Sequence, residues 1–279
     1  MFNVFDGLGG ARLVAMHADG TEAHTLDLPV QRPLYPAFSH DGRYLLVVEY
    51  APPPAESASL VVIDLNTRTT RIVASGNQLS ASAVSPDGRS IAYTSHLDVR
   101  AVNWDGSNDR VLVSGPYEAG CCSWGYGHPA FGATSDSVLF ATAGIIGSIS
   151  LDGSHRRQLL AEDFTRLVFP NVAFSPEGNR FAAGVACSGD RSLRTYTLAS
   201  LPADCESGAV ITPVTESTAG NQSTNPAWGP NGFIAFQQDR DIYVIPADGG
   251  AEEDLTAQLS VEPASVGYPA WAPRGTRLP

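Results

Sequence analysis

Apolar residues along this chain come in short bursts such as "YLLVVE" (44–49), "LVVID" (60–64) and "SIAYT" (90–94), each closed off by polar turn residues rich in Gly, Pro, Asn and Asp. Bursts of this length, enriched in Val, Ile, Leu and Tyr and bounded by turn formers, predict short β-strands and an all-β chain. The bursts also recur in phase. Six segments share a Pro or small residue, Ala, an aromatic, a turn and a β-rich run: "YPAFSHDGRYLLVV", "SASAVSPDGRSIAY", "HPAFGATSDSVLFA", "NVAFSPEGNRFAAG", "NPAWGPNGFIAFQQ" and "YPAWAPRGTRLP".

Taking Pro36 as reference, the equivalent positions are Ser82, Pro129, Val172, Pro226 and Pro269, separated by 46, 47, 43, 54 and 43 residues. Five of the segments are followed by a second hairpin, as in "LVVIDLNTRTTRIV", "VRAVNWDGSNDRVLV" and "DIYVIPADGGAEEDL". One repeat thus reads as four strands: "PAFS", a turn at His40-Asp41-Gly42, "RYLLVVE", a loop, "SLVVIDL", a turn and "TTRIVA". Four antiparallel strands returning every 40–50 residues predict a β-propeller blade. "MFNVF" and "ARLVAMHADGTEAHTL" read as a blade lacking its first strand, and "YPAWAPRGTRLP" (268–279) supplies one. The expectation is one six-bladed propeller domain over 1–279, closed by the C-terminal strand, which removes the free edges of an open array.

Composition narrows the class. Charged residues make up 16% of the chain, the formal net charge is −12, and all 17 basic residues are Arg. So acidic a chain repels a phosphate backbone, which argues against general nucleic-acid binding. No apolar run approaches the length of a membrane span, and no basic-then-apolar leader opens the sequence. Walker, EF-hand, H-E-x-x-H, C-x-x-C-H and G-x-S-x-G motifs are absent from the sequence. The carboxylates of "SPDGR" and "PADGG" fall in turns, where Asp caps the backbone with its own side chain.

"AFSPEGNRFAAGV", "AVSPDGRSIAYTS" and "DIYVIPADGGAEEDLT" resemble the PD40 (WD40-like) repeats of TolB-like six-bladed propellers, over essentially the whole chain. The resemblance implies a bacterial, extracytoplasmic (periplasmic or secreted) propeller that works by protein–protein interaction, within a larger assembly where one exists. It implies nothing specific about activity, because one fold hosts many functions.

Propellers present a binding face where the fourth strand of one blade leads into the first strand of the next. The candidate loops are "VQRPLY", "SGNQLSAS", "SGPYEAGCCSWGYGH", "EDFTRLVFPN", "ESTAGNQSTN" and "SVEPASVGY". The residues just before the Pro-like positions, Tyr35, Ala81, His128, Asn171, Asn225 and Tyr268, are expected to ring the channel mouth. Two tyrosines, two asparagines and a histidine there suit a stacking and hydrogen-bonding pocket, or a set of groups satisfying one another and trapped water. In "GCCSWGYGH", Trp124 and Tyr126 are candidate contact residues, and the adjacent Cys121 and Cys122 suit a vicinal disulfide, a metal cluster or simple packing. Zinc spacing is lacking, so no metal is expected. Cys187 ends a second strand one blade away on the same face and is expected to pair with Cys121 or Cys122; the alternative is four separate thiols. The function expected is a non-catalytic scaffold binding a protein partner on the loop face, with no cofactor. Its rivals are a propeller hydrolase or lyase with chemistry at the channel mouth, and a small-molecule or glycan sensor.

Overall fold

In strand β5 (Tyr44–Tyr50), Leu45 and Val47 enter one hydrophobic layer while Leu46 and Val48 enter the layer on the other side. This is the period-two geometry of a strand covered on both faces. Every sheet repeats it. The computed structural model describes residues 1–279 except 6–9, 52–56, 97, 115–127, 133, 143–144, 161–165, 188–189, 199–208, 211–222, 258 and 260–264.

Six four-stranded antiparallel sheets are formed. Blade 1 contains β1 (Phe2–Phe5), β2 (Ala11–Ala15) and β3 (His24–Thr25); blade 2 contains β4 (Pro33–Phe38), β5, β6 (Ser57–Asp64) and β7 (Thr70–Asn77). Blade 3 contains β8 (Leu79–Val84), β9 (Ser90–Ser95), β10 (Asp98–Asn103) and β11 (Arg110–Ser114). Blade 4 contains β12 (Ala130–Phe131), β13 (Ser137–Thr142), β14 (Ile145–Ser150) and β15 (Arg157–Leu160). Blade 5 contains β16 (Arg166–Phe174), β17 (Arg180–Cys187), β18 (Asp190–Thr197) and β19 (Ala209–Val210). Blade 6 contains β20 (Ser223–Trp228), β21 (Phe233–Gln238), β22 (Asp241–Pro246) and β23 (Glu253–Asp254). The last strand, β24 (Ser265–Gly267), pairs with β1 and completes blade 1.

The expected closure is therefore present, three residues earlier than the sequence suggested. Val266 pairs with Val4, and beyond Tyr268 the Ala270 N–H donates to the Met1 carbonyl at 2.8 Å. Past this point the chain lies against the first-to-second-strand turns of the neighbouring blades 6 and 2. The Trp271 indole donates to the Ala227 carbonyl at 2.8 Å, and Leu278 packs beside the layer between blades 1 and 2.

The core consists of layers between neighbouring sheets. Leu139 meets Val172 and Phe181 between blades 4 and 5, Ala182 meets Phe236 between blades 5 and 6, and Phe2 meets Ile242 between blades 6 and 1. Arginines add a polar stitch at the rim. Arg110 donates twice to the Leu151 carbonyl of the next blade, from Nε at 3.0 Å and Nη2 at 2.7 Å. Arg180 reaches the Ala247 carbonyl at 3.0 Å and Asp248 at 2.7 Å. The guanidinium fork makes such two-point contacts, which an ammonium does not. Among the described residues no helix is long and apolar enough to cross a membrane.

The His40-Asp41-Gly42 turn is structural, as read. Ser39 Oγ donates to Asp41 Oδ1 at 2.6 Å and accepts the Tyr44 N–H at 2.9 Å, while Arg43 N–H donates to Asp41 Oδ1 at 3.0 Å. Ser85, Asp87, Arg89 and Ser90 reproduce the network in blade 3. The serine hydrogen bonds hold both Asp41 and Asp87 below the usual carboxylate range. Gly42 and Gly88 both adopt φ of 69°, but a Cβ on Gly42 lies 2.1 Å from Thr276 Oγ1, whereas one on Gly88 meets nothing within 4 Å.

The two glycines form a matched pair. Gly88→Ala is expected to destabilise the protein by about 1 kcal/mol, from the left-handed backbone alone. Gly42→Ala is expected to cost about twice that or more, because the C-terminal strap must also move. Denaturant melts giving equal losses for the two variants contradict the strap's place over the turn.

Candidate functional site at the channel mouth

The first strand of each sheet is the innermost, and β4 contacts both β1 and β8 while β16 contacts β12 and β20. These inner strands carry a shared irregularity. Leu34 pairs with Val48 and Ala37 with Leu46, so three steps along β4 match two along β5, and Tyr35-Pro36 holds one extra residue. β8 and β20 have the same one-residue bulge, at Ser80-Ala81 and Asn225-Pro226, and β16 has a larger one between Val168 and Val172. In blade 1, Gly267–Asn3 and Ala270–Met1 bracket Tyr268-Pro269 in the same way. Proline lacks the N–H a ladder needs, so bulges are where inner strands tolerate it.

The residue before each of these prolines is left-handed: φ is 53° at Tyr35, 51° at Asn225 and 53° at Tyr268. Such a conformation is rare for tyrosine and persists only where surroundings hold it. For Tyr35 the holder is Asn3, a fully buried residue of blade 1. Its Nδ2 donates to the Pro33 carbonyl at 2.7 Å and its Oδ1 accepts the Tyr35 N–H at 3.1 Å. For Asn225, the side-chain Nδ2 donates to Gln237 Oε1 at 2.7 Å.

Three rings from three blades meet here, Tyr35 and Tyr268 from bulges and His128 from just ahead of β12. Tyr35 and Tyr268 stand 4.4 Å apart at 65°, Tyr35 and His128 5.5 Å apart at 89°, and His128 and Tyr268 5.3 Å apart at 31°. Edge-to-face contacts of this kind add to simple burial. Burial, with the neighbouring Tyr268 and Tyr50 and a hydrogen bond with Tyr268, pushes the Tyr35 phenol far up, so it stays neutral. His128 keeps part of its surface open, yet its enclosed imidazole is desolvated and its pKa falls from 6.5 to about 3. Tyr50 joins the rim, donating to the Leu79 carbonyl of blade 3 at 2.5 Å.

Tyr35, His128 and Tyr268 are thus adjacent, and Asn225 occupies the equivalent bulge in blade 6. Ala81 is buried at the blade 3 bulge, and Asn171 lies within the β16 bulge. Cys187 ends β17. Cys121, Cys122, Trp124 and Tyr126 lie outside the described residues, as does any pairing of their cysteines. Several loops are shorter than the sequence suggested, because the inner strands start earlier: β4 begins at Pro33, and only Gln78, at φ 54°, separates β7 from β8. Sequence reading missed Asn3 and Tyr50. Asn3 sits in a three-strand fragment without the repeat motif, and its partners are fixed only by ring closure.

Comparison with protein-family models found no match. Over 139 residues the chain is 27% identical to a TolB homologue from Chlorobium luteolum, a match that takes in 48% of this chain and 27% of that protein. Among solved structures, TolB from Acinetobacter baumannii superposes with a TM-score of 0.75 at 16% identity, covering 98% of this chain and 66% of that one. A chain of a nidogen/laminin complex superposes with a TM-score of 0.63 at 14% identity, covering 96% of this chain and 92% of that one. The chain therefore spans about a quarter and about two thirds of the two TolB proteins. It has the TolB-like six-bladed propeller fold.

Asn3→Ala is expected to destabilise the protein by about 2 kcal/mol, since it leaves the buried Pro33 carbonyl and Tyr35 N–H without partners. Urea melts that match wild type contradict this role. The depressed His128 pKa sets a second expectation. Between pH about 6.5 and about 3 the unfolded imidazole binds a proton that the folded one does not. Stability therefore falls as pH drops through that window, and His128 contributes no pH dependence above it. In His128→Phe the part of the fall lying between pH 6.5 and 5, above the carboxylate range, is expected to shrink; an unchanged profile removes the desolvated imidazole.

Proposed function

We propose that this propeller is a non-catalytic binding scaffold, acting outside the cytoplasm, whose loop face and channel mouth engage a protein partner. The observation that carries the reading is the group of Tyr35, His128 and Tyr268. Three rings from three blades stand in mutual contact, Tyr35 and Tyr268 set by bulged, left-handed backbone and Tyr35 also by the Asn3 amide, so little side-chain entropy is left to lose on contact. Tyr and His combine apolar area with a polar edge, a combination suited to seating a partner's loop or chain end. Likeness to TolB, and to a propeller found within a nidogen/laminin complex, supports protein binding over other uses of the fold. The reading extends to Trp124 and Tyr126 on the adjoining loop and to Asn171 and Asn225 at the mouth as contact residues. A Cys187 bridge to Cys121 or Cys122 would pin that loop in an oxidising compartment. In this reading residues 1–279 act as one propeller unit.

The test is cross-linked co-purification from the source organism with the wild-type chain and a Tyr35→Ala/Tyr268→Ala variant of verified fold. A partner recovered by wild type and depleted about tenfold or more by the variant is expected, the loss of one or two anchor residues. Equal recovery by both, or turnover of a substrate that depends on His128, overturns the scaffold reading at this site.

A further inference from the structure

On the opposite face, between blades 2 and 3, lies an open recess of about 520 Å3 lined by Tyr44, Asp64, Thr70, Arg71, Trp104 and Asp105. Its volume falls within the roughly 300–1,000 Å3 of small-molecule sites. The repeat shows that the fold does not require these aromatic side chains. After each third strand one backbone N–H returns to the start of the second strand: Leu65 to Arg43, Trp104 to Arg89, Leu151 to Asp136, Leu198 to Asn179 and Ala247 to Gly232. Those bonds make Leu65, Trp104, Leu151, Leu198 and Ala247 equivalent. The residues following the acceptors, Tyr44, Ser90, Ser137, Arg180 and Phe233, are equivalent in turn. Successive interfaces from blade 2 to blade 6 therefore set Tyr44 beside Trp104, Ser90 beside Leu151, Ser137 beside Leu198, and Arg180 beside Ala247. The last is filled by the Arg180 guanidinium on the Ala247 carbonyl, the middle two pair a serine with a leucine, and the first alone of the four is doubly aromatic.

The chemistry left open in the recess selects a ligand class. Tyr44 and Trp104 meet edge to face at 5.1 Å and both keep exposed surface. Arg43 lies 4.9 Å over Tyr44 and Arg71 lies 5.6 Å over Trp104, so the chain's own guanidinia occupy the cation positions on these rings. Asp64 is taken up by Arg43 and by the N–H groups of Asn66 and Thr67. Asp64 and Asp105 balance Arg43 and Arg71, leaving no net charge to draw an ion. What remains is the Trp104 indole N–H and the Tyr44 and Thr70 hydroxyls, next to an aromatic corner and to the Asp105 carboxylate, whose Oδ1 already accepts the Ser107 N–H and hydroxyl. Closely spaced donors and acceptors beside an apolar surface match a ring with one C–H face and a rim of hydroxyls. We propose that the recess between Tyr44 and Trp104 binds a neutral sugar, a hexopyranose unit of an oligosaccharide, independently of the channel mouth.

Two-dimensional NMR on the full chain tests this with maltose, cellobiose, lactose and N,N′-diacetylchitobiose, the Trp104 indole resonance being assigned by its loss in Trp104→Phe. The expected result is a saturable shift of that resonance with at least one disaccharide. Thr70→Tyr, which fills the recess from an exposed position, is expected to weaken binding about tenfold or more, and Tyr35→Ala/Tyr268→Ala to leave it unchanged. Absence of saturation with all four sugars overturns the proposal. So do a shift that survives Thr70→Tyr, and tighter saturation of the same resonance by choline or inorganic phosphate.

Discussion

Three backbone pairings, Gly267 with Asn3, Val266 with Val4 and Ser265 with Phe5, hold the two ends of the chain in one sheet. Much else depends on them. The layers between blades are shared, so a blade without its neighbour exposes one full apolar face. Opening blade 1 uncovers the face of blade 6 that packs on Phe2, Val4 and Val14 and the face of blade 2 that packs on Leu13 together. Closure also builds the channel mouth. Tyr268 follows directly on the closing strand, and Asn3, which holds Tyr35, lies on the strand it closes against. Assembling the fold and assembling the candidate site are thus one event.

The bulges explain how a repeated strand offers a site at all. A regular inner strand sends alternate side chains into the layers on either side. One extra residue breaks that alternation and re-aims a side chain, and the left-handed tyrosines use it to reach across blades. At Tyr35 the strained backbone is held by Asn3 of the neighbouring blade, so that ring is fixed by the closed propeller and not by its own strand alone. Ser80-Ala81 shows the contrast. Blade 3 has the bulge with small residues and no left-handed backbone there, and it adds no ring to the group.

How much was legible follows from the range of each signal. Blade count, strand order and closure were legible because "SPDGR"-type turns recur in phase, and Ser39, Asp41 and Gly42 confirm that those letters are local turn chemistry. That Tyr35, His128 and Tyr268 share one repeat position was legible, because each precedes a proline; that their rings touch is read from the structure. The bulge under them was not read, although proline inside a strand is its usual mark. Asn3 was not legible: an amide that satisfies another blade's backbone has no local pattern. The Tyr44 and Trp104 pairing was hidden for the same reason, since their neighbourhood depends on the register between blades, 60 residues apart in sequence.

In a repeat protein the fold writes the common letters, and departures have to be explained one at a time. Arg180 departs from the serines at its position, and packing explains it fully: its nitrogens bond to Thr195 Oγ1, the Ala247 carbonyl and Asp248, and its plane covers Trp228. Tyr44 and Trp104 depart in the same register but, among the described residues, leave an indole donor and a hydroxyl without hydrogen-bond partners, beside an open recess. At the three equivalent interfaces that follow, the pairs are Ser90 with Leu151, Ser137 with Leu198 and Arg180 with Ala247, so the repeat itself does not call for two rings here. The mouth and the recess lie on opposite ends of the same sheets, and a rigid propeller of this kind holds both without either constraining the other's chemistry.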